Sequence, residues 1–370
     1  MFSILDILKK HQAEKKKKDS EKIISDLLKS REEKELQLGK INELATPKQD
    51  FETTDISISS ALKKETVEEN IKLISELYDE LLTLSKEIYK PDLENYSVLK
   101  SQIILLIEKT VDLLNVGTKE SLRFTLSDYS KFEDYLYCHI VNVCLISIEI
   151  GLGLGYERSR LVELGIASFL HDIGITKYLD IINKSGKLTD EDYKKVREHP
   201  EYGIQILNKL DKELPKGVFD VVGQEHERID GSGYPKGTKD DDIAEYAQIV
   251  GLVDVYEAMI HKRPYRNKHT PSQTINTILN NKNAFGYKII KVLIERIGIF
   301  PLGFLVRLNT QEIGVVFKDN LKSPLRPVVN IIYDSNGQEL KQPKQIDLNS
   351  NPVIYIEECL DCLKSPDKPR

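Results

Sequence analysis

The chain has 370 residues, which is long enough for roughly two or three domains with cores of their own, so metal or disulfide staples are not needed for folding. Its 53 basic and 59 acidic residues give a net charge of −6, which argues against a protein that binds nucleic acid through a general basic field. No bulk nucleic-acid partner is therefore expected.

The first 60 residues are predicted to be a charged helical arm followed by a linker. The N-terminus lacks the order of charge, apolar stretch and small-residue cleavage site that a secretory signal requires, which predicts a cytoplasmic protein. Dense Lys and Glu over residues 8–40 indicate an exposed helix or a short coiled coil, which would permit a homodimer through the N-terminal helices. Residues 41–60 are rich in Thr, Ser and Asp, a composition typical of a linker.

Residues 61–122 are predicted to form an N-terminal helical region. Apolar residues recur there at helical spacing, namely Ile71, Ile74, Leu77, Leu81, Leu84 and Ile88. Pro91 ends this segment, and a second helical run stops near Gly117.

Residues 123–300 are predicted to be all helical. The longest apolar run, residues 140–156, is short and is interrupted by Asn142 and Glu149, so it indicates a buried core helix and no membrane span. Thr189 and Asp192 have the spacing of a capping box that opens the helix leading to His199.

The pattern changes after Pro301, where β-branched residues alternate with polar ones. Together with Asn336 and Gly337, a turn dipeptide, this alternation predicts a sheet of three to five strands within residues 301–370. Cys359 and Cys362 form a single C-x-x-C pair; zinc or redox chemistry is one interpretation, and an incidental pair of reduced thiols is the one we favour. The predicted fold class is therefore mainly α with a small C-terminal β subdomain.

Four of the seven histidines and one aspartate recur at a near-regular interval in the central region, at His139, His171, His199, His226 and Asp254. A lone histidine on an apolar helix is more often a core residue. Five such positions, each in or beside a predicted helix, instead favour convergence on a metal centre. Mixed imidazole and carboxylate donors suit Fe, Mn, Zn or Ni. His261 and His269 lie outside this series and are expected to have ordinary surface roles.

The motifs "LHDIG", "HPEYG", "EHERIDGSGYP" and "DVYEAMIHKRPYR" resemble those of the HD-GYP family, a group of HD-domain phosphohydrolases that hydrolyse cyclic di-GMP in bacteria. The resemblance covers roughly residues 125–300, and the segment after 300 resembles an extension often attached to these domains. It implies an all-helical HD-type bundle with a central di-metal site. It also implies cyclic di-GMP as substrate and signalling proteins such as diguanylate cyclases as partners.

The resemblance carries residue roles over to this chain. It implies catalytic roles for His171 and Asp172, with the aspartate bridging two metals. The implied metal ligands are His139, His171, Asp172, His199, Glu225, His226 and Asp254. The implied substrate-binding residues are Gly231, Gly233, Tyr234, Pro235, Arg263 and Arg266. A helix-terminating turn is the alternative interpretation of the glycine-rich loop, and surface ion pairs are the alternative for the two arginines.

Three positions depart from the family pattern. Glu225 stands where the family has a histidine, which replaces a neutral ligand by an anion. Ile175 replaces a lysine that contacts the scissile phosphate, although Lys177 could substitute for it. Tyr135 stands where three-metal members carry a glutamate, which favours two divalent ions, Fe or Mn, in this chain.

Two hypotheses of function follow. The first is a metal-dependent phosphodiesterase that hydrolyses cyclic di-GMP to pGpG, GMP or both, with a hydroxide that bridges the cations as nucleophile. The second is a catalytically attenuated domain that binds a cyclic dinucleotide or metal and acts as a sensor or protein-interaction module.

Overall fold

In the computed structural model of the protein, the structure describes residues 56–90, 96–116, 135–184, 186–211, 213–261, 269–281, 283–320 and 323–362. The arm predicted over residues 8–40 lies outside these ranges, and so do Arg263 and Arg266.

Two long helices, α1 (Ile56–Ile88) and α2 (Tyr96–Val116), pack against each other and against the central helices. The buried side of α1 carries Leu77, Leu81, Leu84 and Ile88, whose spacing follows the helical period. α1 begins inside the segment 41–60, so the prediction of a linker as far as residue 60 was wrong. Ser and Thr are also favoured where helices begin, so their enrichment did not separate a linker from a helix start.

The central region is a bundle of helices around a continuous apolar core. Its longer helices are α3 (Tyr135–Gly153), α4 (Arg158–Leu170), α7 (His199–Leu210), α8 (Lys216–Gln224), α9 (Glu245–Ile260), α10 (Pro271–Asn280) and α11 (Tyr287–Ile297). Between α4 and α7 lie a 3₁₀ turn (Ile173–Tyr178), the short α5 (Leu179–Ile182) and α6 (Asp190–Val196).

α3 is the central helix of this bundle and is buried on nearly every side. It is long and apolar enough to cross a membrane, but 83% of its most apolar window is buried inside the structure. α1, α4, α9 and α11 all pack against it. The prediction of a buried core helix is thus confirmed, whereas the cytoplasmic location stays a prediction.

The predicted capping box is present, since Thr189 Oγ1 accepts from the Asp192 backbone N–H and the Asp192 carboxylate accepts from the Thr189 backbone N–H. The helix that it opens does not continue to His199. It ends at Val196, and α7 starts afresh with Pro200 in its first turn. Proline has no N–H to donate to the Val196 carbonyl, and the His199 side chain donates to that oxygen instead. The backbone break therefore helps to orient His199.

The C-terminal segment forms a five-stranded antiparallel sheet in the order β4-β3-β2-β1-β5. The strands are β1 (Phe304–Leu308), β2 (Ile313–Lys318), β3 (Val328–Tyr333), β4 (Glu339–Asp347) and β5 (Ile356–Cys362). The Asn336–Gly337 turn joins β3 to β4, as predicted. Cys359 is buried in the sheet. The interpretation of the C-x-x-C pair as reduced thiols stays a prediction. A mainly α fold with a small β subdomain is confirmed.

Candidate metal centre

The seven side chains predicted as metal ligands converge in the middle of the helical bundle, and all of them are buried. They form two groups, and within each group the donor atoms lie within 4.8 Å of one another. The first group is His139, His171 and Asp254, and the second is Asp172, His199, Glu225 and His226. The near-regular spacing in sequence therefore does bring one or two donors from each of five segments to a common centre.

Asp172 belongs to the second group and also faces the first. Its Oδ2 is 3.7 Å from His171 Nε2, and its Oδ1 is 3.2 Å from His199 Nε2. Neighbouring residues inside a helix point about 100° apart. Here α4 ends at Leu170, and Asp172 has left helical geometry with φ −98° and ψ 18°. The helix end thus lets two consecutive side chains face one cavity.

Three imidazole rings are oriented by contacts at their Nδ1 atoms. His171 Nδ1 is 2.7 Å from the Ser168 carbonyl oxygen, and His199 Nδ1 is 2.8 Å from the Val196 carbonyl oxygen. A carbonyl only accepts, so Nδ1 carries the proton and the Nε2 lone pair faces the centre. His139 Nδ1 contacts the Glu257 carboxylate, while its Nε2 is 3.2 Å from Asp254 Oδ1. This is the arrangement in which histidines bind metals through Nε2.

The reasoning from sequence missed Glu257, which is fully buried. It lies one helical turn after Asp254, so the two carboxylates flank the His139 ring from the same face of α9. It also accepts from Asn142 Nδ2 at 3.1 Å and contacts His261 Nδ1 at 2.9 Å. A surface role for His261 was therefore a wrong prediction, because its side chain is buried and paired with Glu257. The i, i+3 spacing of Asp254 and Glu257 was the available signal.

The protonation of these groups is strongly perturbed by burial. Burial, with the nearby carboxylates of Asp172 and Asp254, raises the pKa of Glu225 well above its ordinary value. Burial also lowers the pKa of His226 well below its ordinary value and lowers that of His199. Neutral imidazoles are the form that binds metal, and a bound cation would restore the charge of the carboxylate.

The donor atoms also fit a metal on hydrogen-bonding grounds. Among the residues that the structure describes, His171 Nε2 and both carboxylate oxygens of Glu225 are buried without a hydrogen-bond partner. Buried polar atoms nearly always have partners, so this cluster requires a ligand of its own. Imidazole nitrogens and carboxylate oxygens suit divalent transition metals.

Glu227 follows the two predicted ligands in sequence but turns away from them toward the glycine-rich loop. Its Oε1 accepts from the Lys236 N–H at 2.8 Å, and its Oε2 accepts from the Thr238 N–H at 3.0 Å. Thr238 Oγ1 is 3.3 Å from Oε1. The buried carboxylate therefore fixes the far side of the loop formed by residues 231–238.

Glu227→Gln is expected to loosen this loop, because an amide can accept from only one of the two backbone donors and turns its own donors toward the other. We expect a loss of about 1–3 kcal/mol in unfolding free energy and faster amide exchange within residues 231–238. Hydrogen exchange read by mass spectrometry measures this. The matched control is Glu201→Gln on the exposed side of α7. Unchanged exchange in the loop of the Glu227 variant would contradict the assigned role.

The loop packs directly against the second group. A Cβ atom on Gly233 would lie 2.4 Å from the His226 carbonyl oxygen, so only glycine permits this approach. The ring of Tyr234 stacks on the ring of His226 with centroids 4.7 Å apart and planes 18° apart. The guanidinium carbon of Arg197 lies 4.6 Å from the ring centre of Tyr234, and nothing in the sequence indicated this cation. Gly231 and Pro235 belong to the same loop, whose part in substrate binding stays a prediction.

The positions that depart from the family pattern have clear locations. Glu225 lies within the second group, 3.8 Å from His199 Nε2 and 3.8 Å from His226 Nε2. Ile175 is buried in the apolar core. Lys177 is exposed, with its ammonium 4.8 Å from the ring centre of Tyr202. At position 175, where the resemblance led us to expect a lysine, an apolar side chain thus packs into the core.

Comparisons with known proteins agree with this geometry. Residues 126–288 match a family described as an HD domain, and residues 305–364 match a KOW domain associated with the HD domain. The chain is 34% identical over 218 residues to the cyclic di-GMP phosphodiesterase PA4108 of Pseudomonas aeruginosa. It is 26% identical over 221 residues to the cyclic di-GMP phosphodiesterase PdeB of Borreliella burgdorferi.

These alignments cover 58% and 59% of this chain, and 52% and 58% of the two relatives. The chain thus spans between half and three-fifths of the length of these relatives. Among solved structures, Bd1817, an HDG"Y"P protein from Bdellovibrio bacteriovorus, matches with a TM-score of 0.50 at 17% identity. That match covers 64% of this chain and 80% of the other, and it shows a common fold.

Proposed function

We propose that this protein belongs to the HD-GYP family and is a metal-dependent phosphodiesterase that hydrolyses cyclic di-GMP, since residues 126–288 match an HD domain and the relatives above are cyclic di-GMP phosphodiesterases. One observation carries the proposal. Seven buried nitrogen and oxygen donors form two adjacent groups, and Asp172 of the second group also faces the first. Relatives with similar sequences bear the name of cyclic di-GMP phosphodiesterases, which supports this substrate.

The donor groups would hold two divalent ions. His139, His171 and Asp254 would hold the first, and His199, Glu225 and His226 would hold the second, with Asp172 shared between them. When bound, such a pair of ions neutralises a phosphodiester and lowers the pKa of water toward neutrality. The buried cage excludes bulk water around the donors, so their charges act at low dielectric.

We propose Fe or Mn as the metal. The set contains no thiolate and includes three carboxylates, from Asp172, Glu225 and Asp254, which favours harder divalent ions. Two divalent ions carry four positive charges, and these carboxylates supply three negative ones. A histidine at position 225 would leave the centre with one more positive charge. Glu225 therefore weakens the attraction for the anionic substrate. We expect it to lower the rate of hydrolysis and not the affinity for metal.

The glycine-rich loop is proposed to border the substrate. The stack of His226, Tyr234 and Arg197 leads from the donor groups toward the surface, and it ends on a guanidinium suited to a phosphate or a guanine edge. Arg263 and Arg266 remain proposed substrate-binding residues outside the described part of the chain.

The test is hydrolysis of cyclic di-GMP by purified full-length protein loaded with Mn²⁺ or Fe²⁺ under anaerobic conditions. Chromatography would separate substrate, pGpG and GMP. We expect turnover that requires metal and stops on chelation. Background conversion by protein that holds two ions and binds the dinucleotide would overturn the proposal.

The sensor hypothesis has one observation in its favour, which is the apolar packing of Ile175 where the family has a phosphate-contacting lysine. It requires binding without turnover. Calorimetry with cyclic di-GMP, run beside the hydrolysis assay on the same preparation, distinguishes the two hypotheses.

A further inference from the structure

The N-terminal helix α1 lies outside the segment that matches the HD domain, yet it packs against α3, the helix that carries His139. We propose that Tyr78 on α1 and Asn142 on α3 are positioning residues which, through Glu257, orient His139 toward the first metal. The inference rests on the proposed metal centre. It adds a support for that centre from a helix outside the HD domain.

The contacts form a continuous chain. Tyr78 Oη donates to Asn142 Oδ1 at 3.0 Å, and Asn142 Nδ2 donates to Glu257 Oε1 at 3.1 Å. The other carboxylate oxygen of Glu257 contacts His139 Nδ1. His139 then faces Asp254 through Nε2. Three side-chain contacts thus join α1 to a predicted metal ligand.

The chemistry of the groups fixes the direction of this chain. A carboxylate only accepts, so the amide of Asn142 must present its NH₂ to Glu257. Its oxygen then faces Tyr78, whose hydroxyl is the donor. The tyrosine hydroxyl therefore selects the amide orientation that donates to Glu257, and Glu257 in turn accepts from Nδ1 of His139. Networks of this kind set the tautomer and direction of metal-binding histidines.

A second contact comes from the residue that follows α1. Tyr89, just beyond the last residue of α1, is fully buried and donates to the Phe169 carbonyl at 2.9 Å, two residues before His171. Tyr78 and Tyr89 are 11 residues apart, about three helical turns, so they lie on one face of the chain that α1 presents to the bundle. α1 and the residue that follows it therefore contact the segments that carry both histidines of the first group.

The direct test is metal binding, measured without substrate on the full-length chain. Apo protein is titrated with Mn²⁺ by calorimetry, and the Co²⁺ form is examined by optical spectroscopy. Tyr78→Phe removes only the hydroxyl, and we expect about a 2- to 10-fold loss of affinity for one of the two ions, with a shifted Co²⁺ spectrum. Glu257→Gln is expected to cost about 10- to 100-fold. Glu225→Gln, which removes the charge of a carboxylate in the second group, helps to assign the two binding steps.

The matched control is Tyr246→Phe, which removes a hydroxyl that donates to the Arg160 carbonyl at 3.1 Å, outside the chain of contacts. It should leave both affinities unchanged. The double variant Tyr78→Phe with Glu257→Gln should bind metal as Glu257→Gln alone does, because the hydroxyl acts through the carboxylate.

Equal affinities in wild type and Tyr78→Phe, or losses that simply add in the double variant, would overturn the inference. Thermal unfolding of the apo proteins in chelator separates a positioning role from a fold defect, since both Tyr→Phe variants should be similarly stable. Wild-type protein that binds two ions without hydrolysing cyclic di-GMP would overturn the proposed function and leave this inference standing.

Discussion

Asp172→Asn is expected to lower the rate of cyclic di-GMP hydrolysis by at least about 100-fold. The amide keeps the size of the side chain but loses the charge with which one carboxylate faces both His171 and His199. A positioned pair of ions lowers the barrier by several kcal/mol, and each 1.36 kcal/mol corresponds to tenfold in rate. His171→Ala removes a donor of the first group and should have an effect of the same size. Product formation at saturating metal, with metal content measured by elemental analysis, reads out both variants.

The control is Asp220→Asn on α8, the helix that ends one residue before Glu225. Asp220 pairs at 2.6 Å with Lys216, a largely exposed lysine, and exposed pairs of this kind contribute little to stability. This variant should keep full activity. If Asp172→Asn retained two ions and more than about a tenth of the wild-type rate, then Asp172 would not be the bridge between the ions.

The donors of the centre could be predicted from sequence because a helical bundle converts spacing into proximity. Each helix contributes one inward-facing position, so His139, His199 and Asp254 needed only the helical assignment and the spacing. The motif resemblance added Glu225 to the predicted ligands. Without it, nothing in the sequence favoured Glu225 over Glu227, since both are next to His226.

The supporting contacts could not be predicted, because they join residues far apart in the chain. Tyr78 and Asn142 are separated by 64 positions, and Asn142 and Glu257 by 115. Helical patterns show which residues face inward but not which inward faces meet. His261 is an example. Its place outside the spacing series predicted a surface role, but the fold buries it against Glu257.

One helix boundary was missed because a proline interrupts an otherwise continuous helical pattern. The apolar and charged pattern continued from the capping box through His199, whereas Pro200 imposed a break. That break matters for the centre, because it leaves the Val196 carbonyl for the imidazole of His199. A prediction that had put a helix start at Pro200 would also have indicated how His199 is held.

The second large effect is expected from Gly174→Ala, a change that touches no donor. A Cβ atom on Gly174 would lie 2.0 Å from the His199 carbonyl oxygen and 2.6 Å from the Gly203 nitrogen. Both are backbone atoms of the first turn of α7, so no side-chain rotation can relieve the clash. The turn that follows Asp172 and the helix that begins at His199 must therefore move apart.

This separation acts on a pair of donors whose closest atoms are 3.2 Å apart. Overpacking of this kind costs about 1–3 kcal/mol of stability. A displacement of about 1 Å in a catalytic group costs about 100-fold in rate. We expect a lower melting temperature, weaker binding of the second ion and a rate reduced by about that factor. Calorimetric metal titration and the hydrolysis assay measure these effects on one preparation.

Gly223→Ala on α8 is the matched control, because its Cβ would meet only the Ile204 side chain at 3.5 Å, an ordinary contact. Alanine is favoured over glycine within helices by about 0.5–1 kcal/mol, so this variant should be as stable as wild type or more so. If Gly174→Ala also kept its metal affinity and rate, the backbone contact between the turn and α7 would not set the distance between Asp172 and His199. If instead Gly174→Ala lost metal affinity and rate while Gly223→Ala did not, then backbone packing would set the distance between Asp172 and His199 even without bound metal.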